Sequence, residues 1–182
     1  IWEEGDLRRD ESIRYDFTYL GITPTEVSWG ADELDPHIKK YEDERTDQFN
    51  GNLANEWYSG KNFIVLRYDD VLLCYAECLN ELGETGQANT IVNQVRARAW
   101  GGTLPNEMAW NYGQDEFRTQ IMNERIRELC FEGWRRMDLI RTGKFVELIK
   151  ERNSWAKKSG TIKDFHMRYP IPDTEIKNND DI

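Results

Sequence analysis

Two histidines, three cysteines and five prolines are all that the 182 residues hold of those types, and each shortage closes a class of chemistry. His37 and His166 are far in sequence from Cys74, Cys78 and Cys130, and no C-x-x-C spacing occurs, so no metal ligand set and no cofactor is expected. Three cysteines also argue against a disulfide-stapled scaffold; all three stand at or beside apolar helical positions and read as buried free thiols. No apolar run is long enough to span a bilayer. No nucleophile elbow, glycine-rich phosphate loop or His-centred triad is present. Basic stripes are missing as well: with a formal net charge of −10, nothing offers the cationic surface that nucleic acid requires. The chain opens at Ile1 with neither Met nor signal peptide, which is expected of an excised or processed segment rather than a complete product.

Aromatics and charge are abundant instead. Seven Trp, eight Tyr and seven Phe accompany 32% charged residues, the composition of a folded domain with a wet, aromatic-studded surface. The acidity is lopsided. Residues 1–60 carry 15 acidic and 6 basic side chains, whereas 61–182 are nearly balanced. Glycine and proline also punctuate residues 1–62 into short apolar pieces, of which only Ser12–Leu20 alternates like a strand. Two regions follow: a loop-rich, acidic segment over 1–62 with one minor β-hairpin, and a helical scaffold over 63–182.

The scaffold is organised around residues 67–99. Tyr68, Leu72, Tyr75, Ala76, Leu79 and Leu82 recur at three- and four-residue steps, which predicts one helix, and Ala88, Ile91, Val92, Val95 and Ala99 predict a second. Gly83 suits the left-handed residue just past a helix end. Leu72, Tyr75, Ala76, Leu79, Gly83, Ala88, Val92 and Val95 match packing positions of the tetratricopeptide repeat, although an ordinary αα-hairpin fits equally well. Either way the pair must stack on further helices. A loop over 100–114 carries Trp110 and Tyr112; a third helix opens at Asp115 or Glu116 and breaks near Gly133-Trp134. Short helices are predicted over 135–141 and from Phe145 to about Asn153, then a polar, exposed stretch over 156–164. Pro170 and Pro172 make the end extended, with Asp173 or Thr174 capping a last turn. The fold class is mainly α, with helical hairpins forming an α-α superhelix.

Two constellations offer chemistry. Glu124, Glu128, Glu132 and Arg136 share one stripe if the third helix continues, with Arg125 reaching Glu128 or Glu132 and Asp138 meeting Arg135 or Arg141. Glu128 and Glu132 could serve as the acid and base of a glycoside hydrolase. The interleaved arginines favour an ion-pair network instead, because they would hold the carboxylates ionised. The aromatics likewise read two ways. Trp134, Tyr68 and Tyr75 lie in helical patterns and are expected in the core. Trp29, Trp57, Tyr58 and Trp110 lie in loops, where indole and phenol faces can stack on sugar rings or plug helix seams.

Five ordered blocks resemble the SusD/RagB-type nutrient-binding lipoproteins of the Bacteroidetes outer membrane. They are Gly5-Asp6-Leu7-Arg8; Leu66 to Leu73 with Tyr75-Ala76-Glu77; Val92 to Ala99; Glu124-Arg125 through Glu132-Gly133-Trp134-Arg135 to Lys144; and Tyr169-Pro170-Ile171-Pro172 with Glu175-Ile176. The family usually places Ala where Asp69 stands, and His-Arg-Trp where Trp134-Arg135-Arg136 stand. The resemblance implies a surface-exposed lipoprotein, its lipid anchor in an N-terminal part outside this chain, that captures oligosaccharide without catalysis and hands it to a SusC-like TonB-dependent transporter. Peptide ligands occur among such proteins. No site is carried over, so the ligand-binding candidates Trp29, Trp57, Tyr58 and Trp110 rest on the stacking argument alone, and the acidic first third is expected to disfavour strongly anionic glycans. A tetratricopeptide-like protein- or peptide-binding module is the competing expectation.

Overall fold

The computed structural model describes residues 2–15, 17, 23, 35–42 and 60–179. In chain order the elements are α1 (Arg8–Ser12), β1 (Ile13–Arg14), β2 (His37–Ile38), α2 (Tyr68–Glu81), α3 (Thr85–Ala99), α4 (Gln114–Glu128), α5 (Arg135–Arg141), α6 (Phe145–Arg152), α7 (Ser154–Ser159) and α8 (Asp173–Asn178). Short 3-10 turns occupy Asn106–Met108 and Asp164–Met167. The mainly helical class expected from the periodicity holds. No helix among the described residues is long and apolar enough to cross a membrane.

The chain divides into two compact units, residues 1–133 and 134–182. In the first, α2 packs against both α3 and α4. The turn between α2 and α3 forms because Gly83 takes φ +84°, so that the Glu84 amide donates to the Leu79 carbonyl at 2.8 Å and the Gly83 amide to that of Asn80 at 3.1 Å. Gly143, at φ +69°, ends α5 in the same way.

The core is Leu73, Ala76 and Leu79 of α2, Ala88, Val92 and Val95 of α3, Phe117 and Ile121 of α4, and Trp110 from the intervening loop. On α2 the buried stripe is rotated from the expected one. Tyr68, Tyr75 and Leu82 are 73%, 50% and 78% exposed, and Asp70, Leu73, Ala76, Leu79 and Asn80 face inward. The helix carries two apolar stripes, and periodicity cannot choose between them; α3 and α4 cover the one holding Leu73 and Ala76. Cys74 and Cys78 fall on the uncovered side, so these free thiols are exposed rather than buried, while Cys130 is half-buried.

The 109–113 segment is extended and held as a strand would be, by side chains. Asn93 Nδ2 donates to the Trp110 carbonyl at 3.0 Å while its Oδ1 accepts from the Trp110 amide at 2.7 Å. One turn earlier Asn89 does the same for Tyr112, at 2.9 and 3.2 Å. Asn80 completes the row, donating to the Gln114 carbonyl at 3.1 Å. Asn89 and Asn93 each satisfy a donor and an acceptor that the loop would otherwise bury unpaired.

Elsewhere the elements depart from expectation in detail. The sheet is antiparallel, pairing Ile13 with Ile38 and Arg14 with His37, so its strands are remote in sequence rather than joined by a tight turn. Residues 16 and 18–20 of the expected strand lie outside the described residues. Within 134–182, α7 occupies part of a stretch expected to be only polar and exposed. Its start is nucleated by Asn153, whose side chain accepts from the Ala156 amide at 2.9 Å. Trp134 is half-buried.

Candidate functional site

The first unit contains a cleft of about 560 Å³, within the range of small-ligand sites. It forms where α1, β1 and the 39–42 and 61–69 segments meet the ends of α3 and α4. Among the described residues, its walls carry eight cationic and four acidic side chains.

Behind those walls lies a buried ion network. Glu124 is fully buried and accepts from Arg8 Nη1 at 2.7 Å, Arg127 Nη1 at 2.9 Å and Arg96 Nη1 at 3.0 Å. Glu128, one helical turn on, accepts from Arg67 at 2.6 Å and Arg8 at 2.9 Å, and pairs with Arg98. Glu132 pairs with Lys40 and accepts from Arg67 Nε at 2.9 Å. Asp6 clamps Arg8 at 2.7 Å, and Glu3 reaches Arg96 at 2.7 Å and Arg127 at 3.0 Å.

Burial alone would raise the Glu128 carboxyl; Arg67, Arg8 and Arg98 together outweigh it and hold the group below the usual carboxylate range. Burial would likewise discharge the Arg8 guanidinium, yet Asp6 and Glu124 raise it further into its charged form. Ions at such depth are stable only when their partners satisfy them, and removing one partner from such a set costs about 3–5 kcal/mol. A glutamate held ionised by three arginines is poorly suited to donate a proton, so the arrangement favours scaffolding over the Glu128–Glu132 acid and base pair.

The stripe drawn through Arg136 does not form. α4 ends at Glu128, and the chain turns through Phe131 at φ +65°, the one left-handed non-glycine among the described residues, before Glu132 rejoins the network. Arg136 belongs to the second unit, where its guanidinium lies between Phe145 and Tyr169, 4.7 and 4.5 Å from the ring centres. Its Nη2 also donates to the His166 carbonyl at 2.7 Å, which pins the extended end to α5 and α6. Arg125 pairs with Asp70 at 2.8 Å, a partner on α2 that local spacing did not suggest. The expected Asp138–Arg141 pair is present at 2.9 Å.

Of the four aromatics expected to meet ligand, Trp29, Trp57 and Tyr58 lie outside the described residues. Trp110 is 5% exposed, edge-on to Phe117 at 5.6 Å and tilted against Tyr112 at 5.1 Å, with the Arg96 guanidinium 5.5 Å from its ring. Sequence reasoning missed Arg8, Arg67, Arg96 and Arg98 as partners of the glutamates, since each pair spans 28 to 120 residues. It also missed Asn89 and Asn93, although two amides one turn apart beside an apolar face were a usable signal.

Four of the five ordered sequence blocks contribute residues to the network. Asp6-Leu7-Arg8, Arg67, Arg96 with Arg98, and Glu124 through Glu132 converge on one layer. The model of the SusD family matches residues 2–182. The chain belongs to the SusD family. Two SusD-like proteins of Formosa agariphila are 39% and 38% identical to it over 123 and 120 residues, each match covering 65% of this chain and 24% and 22% of the relative. The starch-binding protein SusD of Bacteroides thetaiotaomicron is 26% identical over 147 residues, 78% of this chain and 24% of that protein. The chain thus spans about a quarter of the length of the curated relatives it matches. No solved structure matches it. The SusD family assignment names no ligand-binding residue in this chain.

Proposed function

We propose that this chain is part of a non-catalytic, surface-exposed binding protein that captures oligosaccharide for import through a SusC-like TonB-dependent transporter in the outer membrane, with a lipid anchor outside this chain. The match to the SusD family over residues 2–182 carries the reading, and the relative named as starch-binding gives its ligand class. The paired charges support it: Glu124, Glu128 and Glu132, each tied to two or three cations, build a stiff platform, and none of the three is a free acid.

In this proposal Trp29, Trp57 and Tyr58 stack on sugar faces from the acidic ligand segment over 1–62, with amide and carboxylate side chains bonding hydroxyls. Trp110 would join them only if the 109–113 segment lifted from Asn89 and Asn93, so the weight rests on the other three. Affinity electrophoresis of the intact protein in polysaccharide gels tests it. Retardation in at least one gel, with the polysaccharide unchanged afterwards and the shift abolished by replacing Trp29, Trp57 and Tyr58 with Ala, is the expected result. Free migration in every gel would sink the glycan reading.

One observation favours a second reading. Tyr68, Val71, Tyr75 and Leu82 make an exposed apolar stripe along α2, which suits a tetratricopeptide-like module docking a peptide or protein. Replacing Tyr75 and Val71 with Glu would then abolish partner co-purification while leaving glycan retardation intact.

A further inference from the structure

The cleft of the first unit reverses the charge of the segment that forms much of it. Residues 1–60 hold only six basic side chains against 15 acidic ones. Among the described residues of this segment, four of the five bases, Arg8, Arg14, Lys39 and Lys40, line the cleft, and two of the seven acids, Glu11 and Glu42, do.

The charges are also layered. Asp6, Glu124 and Glu132, with side chains fully buried, pair with cations of this region yet do not line the cleft; the guanidinium and ammonium groups stand between them and solvent. Two cations keep donors to spare. The Arg98 side chain is 61% exposed and engages Glu128 and Asp69 through Nη2 alone, which leaves Nε and Nη1, as two separate donors, without a protein partner among the described residues. Lys39 Nζ donates to the uncharged Asp10 carbonyl at 2.8 Å, and its nearest carboxylate, that of Glu11, is 3.9 Å away. The remaining acidity of the chain does not decide the matter, because at physiological salt charges beyond about 8 Å are largely screened.

We propose that this cleft binds an anionic sugar unit, one bearing a carboxylate or a sulfate ester, through single charge-assisted hydrogen bonds from Arg98 and Lys39. The inference rests on the glycan-binding reading above and names the class of glycan, against the expectation drawn from the segment-wide charge. A 560 Å³ cleft holds one or two pyranose rings, with Leu7 and Ala99 offering apolar wall to their C–H faces.

The test is isothermal calorimetry on the intact protein at physiological salt, with oligogalacturonate as the carboxylate arm, dextran sulfate as the sulfate arm, and maltooligosaccharide and dextran as neutral counterparts. One anionic probe should bind at least about tenfold more tightly than its neutral counterpart, as expected for one charge-assisted hydrogen bond. Arg98→Glu and Lys39→Glu should each weaken it about tenfold or more, and Arg98→Lys should restore part of the loss. Lys39 lies outside the buried network, so Lys39→Glu tests the cleft even if Arg98→Glu disturbs folding. Neutral probes bound as tightly as anionic ones would overturn this inference and leave the glycan reading standing. Anionic binding indifferent to both residues would remove the site from this cleft. Binding to none of the four probes would overturn the inference, and with free migration in all gels the glycan reading would fall too.

Discussion

Among the described residues, 2–133 bury nine apolar side chains in one cluster and lay a layer of paired glutamates and arginines beside it, whereas 134–179 bury only Asp138, Leu139 and Phe145. The first region has three helices of 14 or 15 residues; the second has four of six to eight. Isolated helices that short are not stable in water, so the second region depends on side-chain pins such as Arg136 between Phe145 and Tyr169. The contrast teaches where rigidity comes from. In the first region it is distributed over many buried partners, and in the second it hangs on single contacts near the surface.

The comparison breaks most visibly at Glu124. Replacing it with Ala removes the fully buried carboxylate that Arg8, Arg96 and Arg127 share and should cost about 3–5 kcal/mol in urea unfolding followed by tryptophan fluorescence. A loss below 1 kcal/mol would show that the network is dispensable.

Acid attacks the same layer from another side. Because the folded Glu128 carboxyl lies below its unfolded value, near ~4.3, the unfolded chain binds more protons there. The stability from Glu128 is therefore complete above that unfolded value and is lost as pH falls through the folded one. Thermal melts between pH 7 and pH 3 should show the first region weakening below about pH 4. Glu128→Gln should flatten that dependence.

Asn93→Ala comes next, at about 1–3 kcal/mol, since it leaves the Trp110 amide and carbonyl buried without partners. Hydrogen exchange should quicken at the Trp110 and Tyr112 amides. Arg136→Ala should cost about 1–2 kcal/mol and act within the second region alone, raising exchange over residues 164–176 while Trp110 stays protected. Equal exchange changes in both regions would dissolve the comparison. Smallest of all, Tyr75→Ser on the exposed stripe should move stability by no more than about 0.5 kcal/mol, unless the stripe is covered in the intact protein.

How far these features were legible depends on how local their causes are. The helices of the 67–99 hairpin, the break before Trp134 and the stops at Gly83 and Gly143 were readable, because periodicity and left-handed caps act within a few residues. The α2 stripe was misread between two apolar faces, since which one is buried depends on α3 and α4. Trp110 was open between stacking on sugar and plugging a seam; the Asn89–Asn93 clamp sets its burial from a helix about 20 residues away. Asn153 offered a local signal for α7 that polarity masked.

The sequence by itself determined the helical class, the ordered blocks of the SusD family and the demand that Glu124, Glu128 and Glu132 find cations, because period, turn chemistry and the cost of a bare buried charge are properties of short stretches. Only the tertiary structure decided which cations answer that demand. Arg8 reaches Glu128 across 120 residues, and Arg67, Arg96 and Arg98 arrive from other elements. Pairing of buried ions is settled by which side chains the packed helices bring within about 3 Å, a distance that carries no trace along the chain. The same packing gathered four of the five described cations of the acidic first segment onto one cleft, where composition alone had pointed to the opposite charge.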